Sequence, residues 1–348
     1  MTRDKKSIVI KNIYYMLSYA YQNLQHNNYK EIETEYFENI QDLFAAILAI
    51  GITSQLKQGL NREYIEKNDS FSVLKGKINI RESIQLRLRN INRLSCCFDE
   101  LSENNYMNQI LKTTARCLVY NGDVKRENKD LLKKALLFFS EVDILEPLTI
   151  NWQRLNYNRN NASYRMMMNI CYLVLHELLL TTEDGRHKLA SFLDDHMMSK
   201  LYEKFILEYY KRHFSQYYPA AREIKWDAIG TIDFLPNMKS DTMLFDGQKK
   251  LIIDAKYYGK IVQTQYDTDT FRSNNLYQIF TYVKNEDKNN TGFVSGVLLY
   301  AKTDEDIIPT ITYGLSGNQI GVKTLDLSKD FSNIEKQLNL IINEWKLL

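Results

Sequence analysis

A chain of 348 residues with 45 Lys and Arg against 43 Asp and Glu carries a formal net charge of only +2. It is therefore no polycation built to coat nucleic acid, and any phosphate contact must come from a local patch. Hydrophobic content of 44% and charged content of 25%, with 13 Gly and only 4 Pro, exclude collagen-like, linker-rich and disordered designs. At roughly 150 residues per domain, the length suggests about two domains.

The longest wholly apolar stretch, 43–52, is about half of what a membrane-spanning helix needs, so no membrane association is expected. The basic N-terminus lacks the apolar core of a secretion signal. Cys96, Cys97, Cys117 and Cys171 include a vicinal pair but no C-x-x-C, which fits neither a disulfide framework nor a thiolate zinc site. A cytoplasmic location is the expectation.

In chain order, Ile13, Leu17, Tyr21 and Leu24 fall at helical spacing, and a second apolar helix is expected around 43–56. Val73, Gly76 and Ile78 suggest a short turn and strand. The helical period returns over 104–120 and 129–139, and a long apolar helix is predicted over 164–180, with Met166, Met167 and Met168 as core filling. Helices thus dominate 1–195. Basic charge is concentrated here: 75–165 holds 16 Lys and Arg against 10 acids, leaving the remainder at −4. The densest run has Lys75, Lys77, Arg81, Arg87, Arg89 and Arg93 against Glu82 alone. It reads either as a solvated helix face or as a surface for phosphate.

Around residue 200 the pattern changes. Ser199 is a plausible N-cap for a helix with the apolar stripe Leu201, Tyr202, Phe205, Ile206 and Tyr209. Strand-like runs follow at 223–229, 241–245 and 251–257, the last two separated by the hairpin signal Asp246-Gly247. A helix is predicted over 274–284, strands over 294–301 and 307–313, and a closing helix over 332–345. The Asn-rich stretches 156–161 and 285–290 read as loops.

The chemistry is in LIIDAKYY, 251–258. Strand alternation puts Asp254 and Lys256 on one face, and the hairpin would bring Asp241 alongside Asp254. Two carboxylates converging beside an ammonium suit a Mg²⁺-dependent phosphodiesterase: oxygens for a hard cation, and an amine to orient the attacking water. Other chemistries lack support. His26, His176, His187, His196 and His213 show no zinc spacing, and there is no G-x-S-x-G elbow. The loop GNQIGVKT, 317–324, departs from a phosphate-binding P-loop and reads as loop and strand.

Helix, Asp-bearing strand, D-A-K strand and a Q-x-x-x-Y helix resemble the PD-(D/E)xK nuclease superfamily. NIYYMLSYAY, KGKINI, FDELSENNYMNQILKTT, YEKF, KWDA, LPNMKSD, LIIDAKYY and NLYQIFTY, in that order, resemble the McrC family, the nuclease subunits of McrBC-type, 5-methylcytosine-dependent restriction systems. That resemblance runs nearly end to end. It implies an α+β chain: a mainly helical, basic N-terminal region over 1–195 that docks on a partner and contacts DNA, then a PD-(D/E)xK endonuclease domain with a mixed sheet over 196–348. It implies Asp241 and Asp254 as metal carboxylates, Lys256 as the catalytic lysine, and Gln278 and Tyr282 as residues that position the phosphate backbone or the metal-site loop. Glu203 would be a third metal-supporting carboxylate, with Glu208 competing for the role. Pro236 lies five residues before Asp241, a departure from the superfamily motif. The implied cofactor is Mg²⁺, with no nucleotide bound by this chain; the implied partners are a McrB-like AAA+ GTPase hexamer and double-stranded DNA. The other reading is a non-catalytic adaptor that activates the AAA+ ring.

Overall fold

The structure, a computed structural model, describes residues 3–20, 37, 39–159, 161, 163–181, 187–189, 195–230, 233–257, 262–265, 268–302 and 310–347. Tyr21, Leu24, His26 and the start of the 307–313 strand lie outside them. The chain divides into two compact units, one formed by Met1–Ile40 together with Phe192–Leu348, the other by Gln41–Ser191. The first helix groups with the C-terminal unit and not with the residues that follow it in sequence.

That helix, α1 (Arg3–Ala20), buries Ile10, Ile13, Tyr14 and Leu17. Asn12 fixes it from the side, donating its Nδ2 hydrogens to the carbonyls of Leu327 at 2.7 Å and Lys329 at 2.8 Å. Tyr15 stacks on Phe331 with ring centroids 4.3 Å apart. A buried amide satisfying two loop carbonyls across more than 300 residues is a long-range contact that local pattern cannot announce.

The second unit holds α2 (Ile40–Gln58), β1 (Glu63–Phe71), β2 (Lys77–Ile78), α3 (Ile80–Leu88), β3 (Leu94–Ser102), α4 (Tyr106–Asn121), α5 (Arg126–Leu136) and α6 (Tyr164–Tyr172). Its three-stranded antiparallel sheet runs β1-β3-β2, with Glu63 opposite Ser102 and Phe71 opposite Leu94. Helices still make up most of this unit, and β1 and β3 are the strands the sequence pattern did not announce. The predicted 164–180 helix is interrupted: after α6 come a π turn, Leu173–Leu178, and β4 (Leu179–Thr181), which pairs with β5 (His187–Leu189). Met166, Met167 and Met168 are buried in the core.

The C-terminal unit continues with α7 (Asp195–His213), which begins four residues before the expected cap; Ser199 lies inside it and donates its hydroxyl to Glu203 at 3.1 Å. The predicted 223–229 strand is only β6 (Glu223–Ile224), paired with β7 (Met238–Lys239). Then come β8 (Thr242–Asp246), β9 (Lys249–Tyr257), β10 (Val262–Gln265), β11 (Thr268–Phe271), α8 (Ser273–Glu286), β12 (Val294–Lys302), β13 (Ile311–Leu315), β14 (Asn318–Asp326) and α9 (Phe331–Leu347). The main sheet has the order β13-β14-β12-β9-β8 and is mixed: β9, β12 and β14 run parallel, with an antiparallel strand at each edge. The β8–β9 hairpin turns at Gly247, whose φ of +59° is what the D-G signal supplies.

Helix α8 is the crossover between the parallel strands β9 and β12 and covers one face of the sheet. Ile279 and Val283 pack there with Ile252, Leu298, Tyr300 and Val322. Gly296 permits the close approach, since a Cβ on it would lie 2.8 Å from side-chain carbons of both Ile279 and Val283. No helix among the described residues is long and apolar enough to cross a membrane.

Candidate active site

The site is built on the edge hairpin. Thr242 pairs with Ile253 at the end of the β8–β9 ladder, so the same antiparallel register, continued by one step, sets Asp241 opposite Asp254. Asp241 Oδ2 accepts the backbone N–H of Ala255 at 2.8 Å, which fixes the carboxylate against the second strand. Asp254 is 1% exposed, and its Oδ2 lies 2.8 Å from the ammonium of Lys256, whose side chain is 15% exposed. Alternation had put Asp254 and Lys256 on one face, and the ion pair shows them there. Ile252, two residues earlier on the same face, packs under α8, so the charged groups continue the row that this helix covers.

Burial makes this arrangement costly and electrostatically strained. The Asp241 carboxyl is pushed up to about 7, first by burial, then by the charge of Asp254, then by that of Glu203; the Ala255 N–H and Lys256 pull the other way. Asp254 is also raised by burial, opposed by Lys256. Two acids facing one another with a single lysine leave an excess of negative charge, and the field of Glu203 adds to it. Such a pair holds a proton at neutral pH or takes up a cation. Glu203, not Glu208, is the helix carboxylate felt at Asp241; Glu208 pairs with Lys211 at 2.7 Å.

The donor set suits Mg²⁺. That ion prefers hard oxygen ligands, needs only one or two protein carboxylates and retains several waters. Among the described residues no three His, Cys, Asp or Glu groups gather closely enough to hold a metal by themselves. Asp241 and Asp254 are the two carboxylates that face one another, and the charge of Glu203 is felt at Asp241. The thiols of Cys96, Cys97, Cys117 and Cys171 are free.

Gln278 and Tyr282 lie one turn apart on α8, and Gln278 Nε2 donates to Tyr282 Oη at 2.8 Å. Tyr282 is buried in the core beneath the helix, while Gln278 is half-buried. The hydrogen bond they make is with each other. Two polar residues escaped the sequence reading: Asn275, on the first turn of α8, donates Nδ2 to Tyr300 Oη at 3.0 Å, and both side chains are buried. The available signal was Asn275 one turn before Gln278, and a lone tyrosine in the strand VSGVLLYAK.

Fold and site thus define an α+β chain whose mixed sheet carries two facing carboxylates and a lysine on its edge hairpin. The sequence model for the McrBC 5-methylcytosine restriction system component matches residues 2–301, and the chain belongs to that family. It is 27% identical over 351 aligned residues to the type IV methyl-directed restriction enzyme EcoKMcrBC of Escherichia coli K12, an alignment that covers 98% of this chain and 99% of that one. Among solved structures it resembles a chain from a half-complex of the tetradecameric assembly of Thermococcus gammatolerans McrB AAA+ hexamers with bound McrC. The TM-score is 0.55 at 19% identity, covering 97% of this chain and 75% of the other.

Proposed function

We propose that this chain is the Mg²⁺-dependent DNA endonuclease subunit of a McrBC-type, modification-dependent restriction system, with a PD-(D/E)xK-type site, working in the cytoplasm with a McrB-like AAA+ GTPase hexamer. The observation that carries the reading is the register that puts Asp241 opposite Asp254, with Lys256 2.8 Å from the second carboxylate. Asp241 and Asp254 would hold the metal, and Glu203 would deepen the negative potential that attracts it. Bound Mg²⁺ supplies Lewis-acid polarisation of the scissile phosphate. The Lys256 ammonium, held against Asp254 at 2.8 Å, orients the attacking water and offsets charge developing on the phosphoryl oxygens. Gln278, braced by Tyr282, presents an amide on the helix face that roofs the site, suited to a phosphate of the DNA backbone.

A second surface supports the partner half of this reading. In the unit 41–191, α3 exposes Ile80, Ile84 and Leu88 at four-residue spacing, with Val73 and Leu74 also exposed nearby in sequence. Arg81, Arg87 and Arg89 stand on or beside the same helix, all exposed. Solvent-facing apolar residues rimmed by charge mark a protein contact more readily than a bare phosphate surface. The McrB AAA+ hexamers of the related assembly make an AAA+ ring the occupant.

The reconstituted complex tests this directly. With an AAA+ partner of the same system, GTP and Mg²⁺, DNA containing 5-methylcytosine should be cut and unmethylated DNA spared. Cleavage that needs neither the partner nor a divalent ion would refute it.

A further inference from the structure

We propose that Asn275 and Tyr300 are positioning residues for Lys256, so that the first turn of α8 sets where the catalytic ammonium stands. This inference rests on the nuclease reading above. In the parallel β9–β12 ladder, Leu298 pairs with Asp254 and Tyr300 pairs with Lys256. Paired residues on adjacent strands project to the same face, and the strands are about 4.8 Å apart, so the phenol ring of Tyr300 flanks the stem of Lys256. Tyr300 belongs to the core cluster under α8 and is 0% exposed. Its hydroxyl accepts a hydrogen bond from Asn275 Nδ2 at 3.0 Å, and Asn275 is itself 6% exposed.

Burying an amide and a phenol is expensive compared with an apolar pair of the same shape, even when the two bond to each other. Here the pair joins three elements at one point: the helix that roofs the sheet, the strand β12 and, through the register, the strand that carries the lysine. Asn275 holds the far end of the phenol in place, and the register sets that ring beside the lysine stem. The stem is thereby confined, and the ammonium is held on Asp254 instead of sampling solvent. A displacement of about 1 Å at a catalytic group can cost on the order of 100-fold in rate, which gives the ring a function that simple core filling does not.

The test uses the reconstituted complex and the variants Tyr300→Phe, Asn275→Ala, their combination, and Asp254→Ala as the reference for loss of chemistry. Each single variant should lower kcat for cleavage by roughly tenfold or more, with the KM for DNA and the stimulation of GTP hydrolysis unchanged. Because Asn275 acts through the hydroxyl, the double variant should be no slower than Tyr300→Phe. A second readout needs no cleavage: in metal-free protein, trace acetylation of Lys256, measured by peptide mass spectrometry, should rise several-fold in both single variants. Wild-type kcat and wild-type Lys256 reactivity in both, with Asp254→Ala inactive, would overturn the inference while leaving the nuclease reading intact. Additive losses that merely track a falling Tm would also overturn it. If Asp254→Ala cuts normally, it is the nuclease reading that fails, and the acetylation arm still decides whether the pair places the lysine. Asn275→Ala keeps the tyrosine in the core, so it decides the matter should Tyr300→Phe fold poorly.

Discussion

The two units use charge and apolar surface in opposite ways. In the C-terminal unit, carboxylates and an ammonium are drawn into a buried sheet edge, at an electrostatic cost large enough to push Asp241 up to about 7. In the unit 41–191, apolar side chains that would gain from burial are left in water along α3. Each departs from the rule of apolar inside and charged outside, and the proposed function gives each a binding role. A hidden excess of negative charge calls for a cation, and an exposed apolar row calls for a protein.

The largest expected effect is at the buried charge. Lys256→Ala should reduce strand scission by roughly 100- to 10,000-fold, the range of a lost general acid–base or charge-stabilising group, with Tm changed by only a few degrees. Normal cleavage would dissolve the contrast by making the trio an ordinary ion cluster. At the exposed row, Ile84→Asp with Leu88→Asp should weaken binding to the AAA+ ring by tenfold or more, about 1.4 kcal/mol, while leaving the thermal stability of the chain unchanged. Reversing Arg87 and Arg89 to Glu sharpens this: an altered salt slope for DNA binding would reassign the helix to phosphate, and an altered affinity for the ring alone would keep it as a protein contact.

A smaller effect is expected where α8 meets the sheet. Gly296→Ala forces a methyl against Ile279 and Val283, at a cost of about 1–3 kcal/mol, measurable by denaturant titration. An unchanged midpoint would mean the helix can withdraw without loss. The smallest effect concerns pH. The Asp241 carboxyl titrates near 7 in the folded chain but near 4 when unfolded, so between those values the folded state keeps a proton that the unfolded state releases. Metal-free stability should therefore fall as pH rises through that window and level off above 7. Asp241→Asn should raise the metal-free Tm at pH 8 by a few degrees and flatten the profile, as followed by calorimetry. A profile unaffected by the substitution would remove the strain from the account.

The placement of the three charged side chains was readable because it is local. The D-G turn, the alternation in LIIDAKYY and the amphipathic α8 are each carried by neighbours in sequence, and together they fix the facing of Asp241, Asp254 and Lys256. Features set by distant partners were not readable. Strand β1, EYIEKNDSF, is exposed over most of its length, so it shows no apolar alternation to count. The attachment of α1 to the C-terminal unit depends on Asn12 meeting carbonyls at Leu327 and Lys329. Ser199 looked like a cap because hydroxyls favour that position, but α7 starts at Asp195 and the hydroxyl turns to Glu203 instead. The Asn275–Tyr300 pair was invisible for the same reason as α1: its meaning comes from a parallel register between strands joined by a helix.

The most direct test of the central claim is Asp254→Ala in the reconstituted complex, read simultaneously for DNA cleavage and for GTP hydrolysis by the partner. Loss of cleavage with GTP hydrolysis still stimulated is the predicted result. Cleavage at the wild-type rate would contradict a metal-dependent nuclease site on this hairpin and leave the chain as an activator of its ring.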